Sequence, residues 1–160
     1  MIHELKENSQ TAIAKTLAKE IALHVPNDCE VLVPVPSKTV SFQKRGFNPA
    51  VILANAIAKE VARTQNRLIK VANLISLGRD VEDQAALDGH ERRSNLIGSM
   101  WAKEFSTANP VWLVDDIVTT GATLSEAARS LAAVGIGVGG FLTFAETLPK
   151  NRQKPNKAAV

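Results

Sequence analysis

A chain of 160 residues with 45% hydrophobic content can close one sizeable core and is too short for two ordinary domains. Its charged residues, 22% of the chain, mix both signs, which argues against a disordered or fibrous chain, and a net charge of +3 is too mild to demand an acidic partner. One cysteine, Cys29, excludes an internal disulfide and a zinc ribbon and fits a reducing compartment. The start MIHELKENSQ lacks a leader pattern and no apolar run reaches about eighteen residues, so a soluble, cytoplasmic protein without membrane contact is expected.

In chain order, Ile13, Leu17 and Ile21 recur at helical spacing beside Ala14, Ala18 and Ala22, which predicts an amphipathic helix over about residues 9–25, closed by Pro26. The β-branched run EVLVPVP, 30–36, predicts a short strand. Asn48 and Pro49 supply an N-cap and a first-turn proline for a largely buried helix over 50–62. A strand-like run follows at 68–77, then Gly78 and a charged, poorly periodic loop to Arg93. Strands at 96–101, 111–114 and 138–144 and a helix over 124–134 complete the pattern. Strands alternating with helices predict an α/β fold with a mostly parallel sheet and helices on both faces. The expected organisation is one domain over 1–148 and a basic, disordered tail over 149–160, carrying Lys150, Arg152, Lys154 and Lys157.

Ligands in such sheets sit beyond the carboxyl ends of strands, which directs attention to the residues after Val35 and after Val114. There the run 111–123, VWLVDDIVTTGAT, reads as strand, loop and helix start. A helix N-terminus offers free N–H groups and a positive dipole end to a phosphate. Thr119, Thr120 and Thr123 add hydroxyls, Gly121 removes a Cβ and tolerates positive φ, and Thr123 with Glu126 has capping-box spacing. Asp115 and Asp116 are acceptors for a sugar diol. Each piece alone also fits a solvated acidic pair or an ordinary capped turn. No Walker loop or dinucleotide fingerprint occurs.

Taken together, the four apolar residues, the acidic pair and Thr-Thr-Gly-Ala-Thr resemble the 5-phosphoribosyl 1-diphosphate (PRPP) binding motif of type I phosphoribosyltransferases. Upstream, VPVPSK at 33–38 and KRGFN at 44–48, with Gln84, Arg92 and Asn95, resemble the ComF family of competence-associated phosphoribosyltransferase-like proteins. The resemblance spans about residues 31–144. It implies a type I phosphoribosyltransferase-like domain that transfers a phosphoribosyl group from PRPP to a nitrogen acceptor and releases diphosphate. The alternative it implies is a non-catalytic PRPP- or nucleotide-binding accessory protein in DNA uptake.

Carried over residue by residue, the resemblance assigns the ribose hydroxyls to Asp115 and Asp116. It assigns the 5-phosphate to Thr119, Thr120, Gly121, Ala122 and Thr123, and the diphosphate to Pro36, Ser37 and Lys38 with Arg45 as a second cation. Asp115, Asp116 and Lys38 are the expected catalytic residues, and Mg²⁺ is expected to arrive with PRPP rather than on a direct protein ligand. Lys38 and Arg45 equally suit surface charge. The 78–93 loop is the candidate lid, with Arg79, Arg92 and Arg93, although its acidic residues and His90 equally fit a solvated loop. Family members often carry a Cys-rich, zinc-binding segment that has no counterpart here, Pro49 and Glu146 depart from the family pattern, and the hood that builds an acceptor pocket in related enzymes is not evident. Besides PRPP and a small-molecule acceptor, competence-machinery proteins and a second copy of the chain are candidate partners. Nucleic acid is favoured only by the basic tail.

Overall fold

The computed structural model of the chain describes residues 2–37, 42, 46–78 and 97–146. Four parallel strands form the central sheet in the order β2-β1-β5-β6: β1 is Val31–Pro34, β2 Lys70–Val71, β5 Val111–Val118 and β6 Val138–Glu146. A separate antiparallel pair joins β3, Ile75–Leu77, to β4, Met100–Ala102. The fold is thus the expected α/β class. Helices α1, Ile2–Ala22, and α2, Pro49–Gln65, cover one face, and α3, Ala122–Ala132, covers the other. Among the described residues no helix is long and apolar enough to cross a membrane.

Every residue of β1 is buried, as a central parallel strand requires. Leu32 packs with Val114, Ile57 and Val61 under α1 and α2, while Val33, Val111 and Leu113 pack with Ala127 and Leu131 of α3. Helix α1 begins and ends earlier than its periodicity predicts. Its small residues Ala14, Ala18 and Ala22 are buried with Ile21, whereas Ile13 is 52% exposed. Close approach of α2 selects the small side chains and pushes the larger aliphatics of α1 to the flank of the contact.

Three other expectations need correction. The 68–77 run is two strands in different sheets, because Leu74 N–H turns back to the Ala72 carbonyl at 3.0 Å and breaks the extension. Strand β5 does not stop at Val114: β6 runs beside it as far as Val118↔Glu146, so the acidic pair lies within paired strand. The capping box does not form. Gly121 is the N-cap of α3 and no side chain caps it, while Glu126 is 4% exposed and turned toward β4.

There Glu126 accepts from Met100 N–H at 3.1 Å and from Arg129 Nε at 2.8 Å, and Arg129 Nη2 donates to the Met100 carbonyl at 2.7 Å. The pair clasps both backbone groups of Met100 and fixes the β3–β4 pair to α3. The Arg129 guanidinium holds the Glu126 carboxyl below its ordinary range. The loop over 79–93, its lid role, the Gln84, Arg92 and Asn95 pattern, and the tail over 149–160 lie outside the described residues.

Glu126→Ala should cost about 1–3 kcal/mol in urea unfolding, since it strips a buried N–H of its acceptor. The depressed carboxyl gives a second signature. Its contribution is present above the ordinary glutamate range and lost as pH falls through the lower native value, so the gap between wild type and variant should close at acid pH.

Candidate functional site

The parallel pairing of β1 with β5 ends at Pro34↔Val114, where β1 stops and β5 runs on beside β6. Val35 continues the ladder by donating its N–H to the Val114 carbonyl at 2.9 Å. The loop after β1 and the acidic residues after Val114 are therefore neighbours, although about eighty residues of sequence separate them.

Asn48 secures that loop. Its Oδ1 caps α2 by accepting from Ala50 N–H at 3.0 Å, and the same oxygen accepts from Ser37 Oγ at 3.0 Å. Its Nδ2 donates to the Val35 carbonyl at 2.9 Å. One side chain thus joins the start of α2 to Val35 and Ser37, a role beyond the N-cap that its sequence context predicts. Pro36 and Ser37 are half-buried in this loop. Lys38 and Arg45, the expected cations, lie outside the described residues.

Beyond Val114, Asp115 and Asp116 are both half-buried. Asp115 Oδ1 accepts from Asp116 N–H at 2.9 Å, Asp116 Oδ1 accepts from Ile117 N–H at 3.0 Å, and Thr143 Oγ1 lies 3.3 Å from the Asp116 carbonyl as its donor. Burial, reinforced by the Asp116 charge, pushes the Asp115 carboxyl up from 3.8 to about 7. Asp115 therefore keeps its proton to near neutrality.

Thr119 and Thr120 are exposed, and Gly121 stands at φ 72°, a left-handed conformation that favours glycine. This turn leads into Ala122 and Thr123, and the first helical N–H to close inward is that of Ser125, on the Gly121 carbonyl at 2.9 Å. Thr120 Oγ1 lies 3.4 Å from Ala122 N, a long contact. Beyond that contact, the N–H groups of Thr123 and Leu124 meet no hydrogen-bond partner among the described residues, and a helix start with free N–H groups suits a phosphate.

Beside Asp116 opens a cavity of about 270 Å³. Ile13 and Leu17 of α1 form one wall; Phe47, Pro49 and Ile52, at the start of α2, form another. Ile117 and Phe144, from the tips of β5 and β6, also line it, and among the described residues Asp116 is its single polar lining side chain. None of these apolar walls was identified from sequence. Ile117 directly follows the acidic pair and Phe47 and Pro49 flank Asn48, which are the signals by which they could have been found.

No family model matches the chain. It is 28% identical over 150 residues to Competence protein F of Haemophilus influenzae, covering 85% of this chain and 62% of that relative, so it spans less than two thirds of the relative's length. In fold it is similar to the allosteric regulatory enzyme of purine biosynthesis, with a TM-score of 0.51 and 16% identity over 84% of this chain and 25% of that one. A purine phosphoribosyltransferase from Pyrococcus horikoshii Ot3 gives a TM-score of 0.43 at 14% identity, covering 87% of this chain and 84% of that one. The resemblance to Competence protein F read from the motifs is borne out by that identity, and the expected α/β fold with a mostly parallel sheet flanked by helices by the strand order and the likeness in fold.

The raised Asp115 carboxyl sets a pH dependence. A protonated native carboxyl adds stability that is fully present below the ordinary aspartate value and is lost as pH rises through about 7. Asp115→Asn should therefore lose less melting temperature than wild type between about pH 5 and about pH 8, as scanning calorimetry at matched ionic strength would show.

Proposed function

We propose that the protein binds PRPP and transfers its phosphoribosyl group to a nitrogen acceptor with release of diphosphate, acting in the cytoplasm. The observation that carries this reading is the point in mid-sheet where β1 ends against Val114 of β5. There the uncapped start of α3, the Gly121 turn, the acidic pair and the Ser37 loop lie at one end of the sheet, matching the parts of a sugar phosphate bearing a second phosphate group.

In this reading Thr119, Thr120, Gly121, Ala122 and Thr123 surround the 5-phosphate with N–H and hydroxyl donors, and the dipole of α3 adds to them. Asp115 and Asp116 accept from the ribose hydroxyls. Their negative charge also favours the cationic, oxocarbenium-like sugar that forms as diphosphate leaves the anomeric carbon. Pro36 and Ser37 flank the leaving group, with Lys38 and Arg45 assigned to it by the motif resemblance. Burial beside the Asp116 charge disfavours the ionised Asp115 carboxyl, and a divalent cation held by Asp115 or Asp116 through water would offset that. Mg²⁺ bound with PRPP would neutralise the departing diphosphate.

A second reading is supported by the relative named Competence protein F: a non-catalytic PRPP- or nucleotide-binding accessory protein in DNA uptake, with competence-machinery partners. Diphosphate release separates the two. An enzyme releases it from PRPP and Mg²⁺ with some nitrogen acceptor, and the accessory protein binds PRPP without turnover.

PRPP with Mg²⁺ at a hundredfold excess over its dissociation constant should stabilise the fold by about 2.7 kcal/mol and raise the melting temperature by roughly 5–11 °C. Asp116→Asn and Thr120→Val should each shrink that shift while leaving the unliganded protein folded. A melting curve unmoved by millimolar PRPP would rule out the reading.

A further inference from the structure

We infer that the groove between α1 and α2 is a docking site for an acidic amphipathic helix of a partner protein. The groove lies along the two helices, apart from the acidic pair and the Gly121 turn, and its role is independent of the PRPP reading.

Its shape follows from how the helices pack. Ala18 of α1 and Ala54 and Ile57 of α2 are buried together, and contact through such small side chains leaves the longer ones standing to either side. Gln65 Nε2 donates to the Ala22 carbonyl at 2.8 Å, which ties the last turns of the two helices, while Ile13 and Pro49 meet at a cavity nearer their starts. The helices therefore run side by side in the same direction. Between them opens a groove of about 450 Å³, within the ~300–1,000 Å³ of ligand clefts. Val51, Ile52 and Ala56, all half-buried, give it an apolar floor.

The banks are basic. Lys15 and Lys19 stand exposed on α1, and Lys59 and Arg63 stand exposed on α2. Glu60 also lines the groove, but Arg63 already engages it through two bonds, Nη2 to Oε1 at 2.6 Å and Nε to Oε2 at 3.1 Å. The Arg63 guanidinium holds the Glu60 carboxyl below its ordinary range, and Lys19 adds to that from the opposite bank. Lys15, Lys19 and Lys59 are left as positive charge around an apolar recess.

Two features set this groove apart from an ordinary solvated helix surface. Each bank carries a like-charged pair at i and i+4, an arrangement that works against its own helix. The floor between them is apolar and open. A third helix laid along the groove relieves both, placing an apolar stripe on Val51, Ile52 and Ala56 and acidic side chains against the lysines. Acids one turn apart on that helix repeat every ~5.4 Å, the same interval as the basic pairs, so the two rows meet in register. A phosphate backbone would leave the apolar floor wet, and a bilayer surface cannot enter a recess between two helices.

The test titrates the full chain into a fluorescein-labelled peptide of about eighteen residues, five helical turns, with leucines at i, i+3, i+4 and i+7 and glutamates on both flanks. Anisotropy follows binding. A scrambled peptide of the same composition, a peptide with lysine in place of glutamate, a single-stranded oligonucleotide and vesicles of anionic phospholipid are compared with it. Expected is saturable binding about tenfold tighter than that of the scrambled peptide, weakened about tenfold by Lys15→Glu combined with Lys59→Glu. The double variant should keep the wild-type melting temperature, both lysines being exposed, and should now prefer the lysine peptide. That exchange of preference is a gain that damaged folding could not produce. No saturable binding, equal binding of the scrambled peptide, or an affinity and preference unmoved by the double reversal overturns the assignment. So does an oligonucleotide or vesicle that binds through the same lysines while the helical peptide does not.

Discussion

The structure depends on one contact, the parallel pairing of β1 with β5 in the middle of the sheet. Leu32, Val33, Val111 and Val114 have no solvent exposure, and helices on both faces make any slip of register costly, because a shift by one residue would exchange the two buried faces. With the register held, β1 ends against Val114, and the loop after it meets the acidic pair of β5 although the two are distant in sequence. The site follows from strand pairing rather than from any single motif.

Polar ties complete what the core begins. Asn48 joins the start of α2 to Val35 and Ser37 through one buried-edge amide, so the loop after β1 takes its shape from a helix that begins over ten residues later. Glu126 and Arg129 do the same on the opposite face, where α3 holds Met100 of β4. Since α3 also follows the Gly121 turn, the small antiparallel pair and that turn are anchored to one helix. Both ties use the backbone groups of a neighbouring element, which is how a short polar side chain can fix the position of a whole segment.

Much of the fold was legible in the residues. The alternation of elements, the apolar runs at β1 and β5 and the Asn48-Pro49 start of α2 each reflect local physical chemistry, and each appears close to where periodicity and capping place it. The elements misjudged are those shaped by neighbours. Thr123 and Glu126 have the spacing of a capping box, but Glu126 meets Met100 and Arg129 instead, and spacing along a helix carries no information about a strand beside it. Ile13 has the periodicity of a core residue, yet α2 approaches closely enough that only alanine-sized residues and Ile21 fit between the helices.

For the site, the sequence by itself determined the donors and acceptors: the acidic pair, the threonines, the left-handed glycine and the helix start are contiguous from Asp115 to Thr123, so their spacing alone sets their order. Only the tertiary structure decided what stands opposite them. The Ser37 loop reaches the pair through the β1–β5 register, and the apolar cavity gathers residues from α1, α2, β5 and β6. A contiguous motif is short enough for local geometry to shape it. A cavity between elements exists only once long-range packing has set their distances, and that is why its chemistry could not be read along the chain.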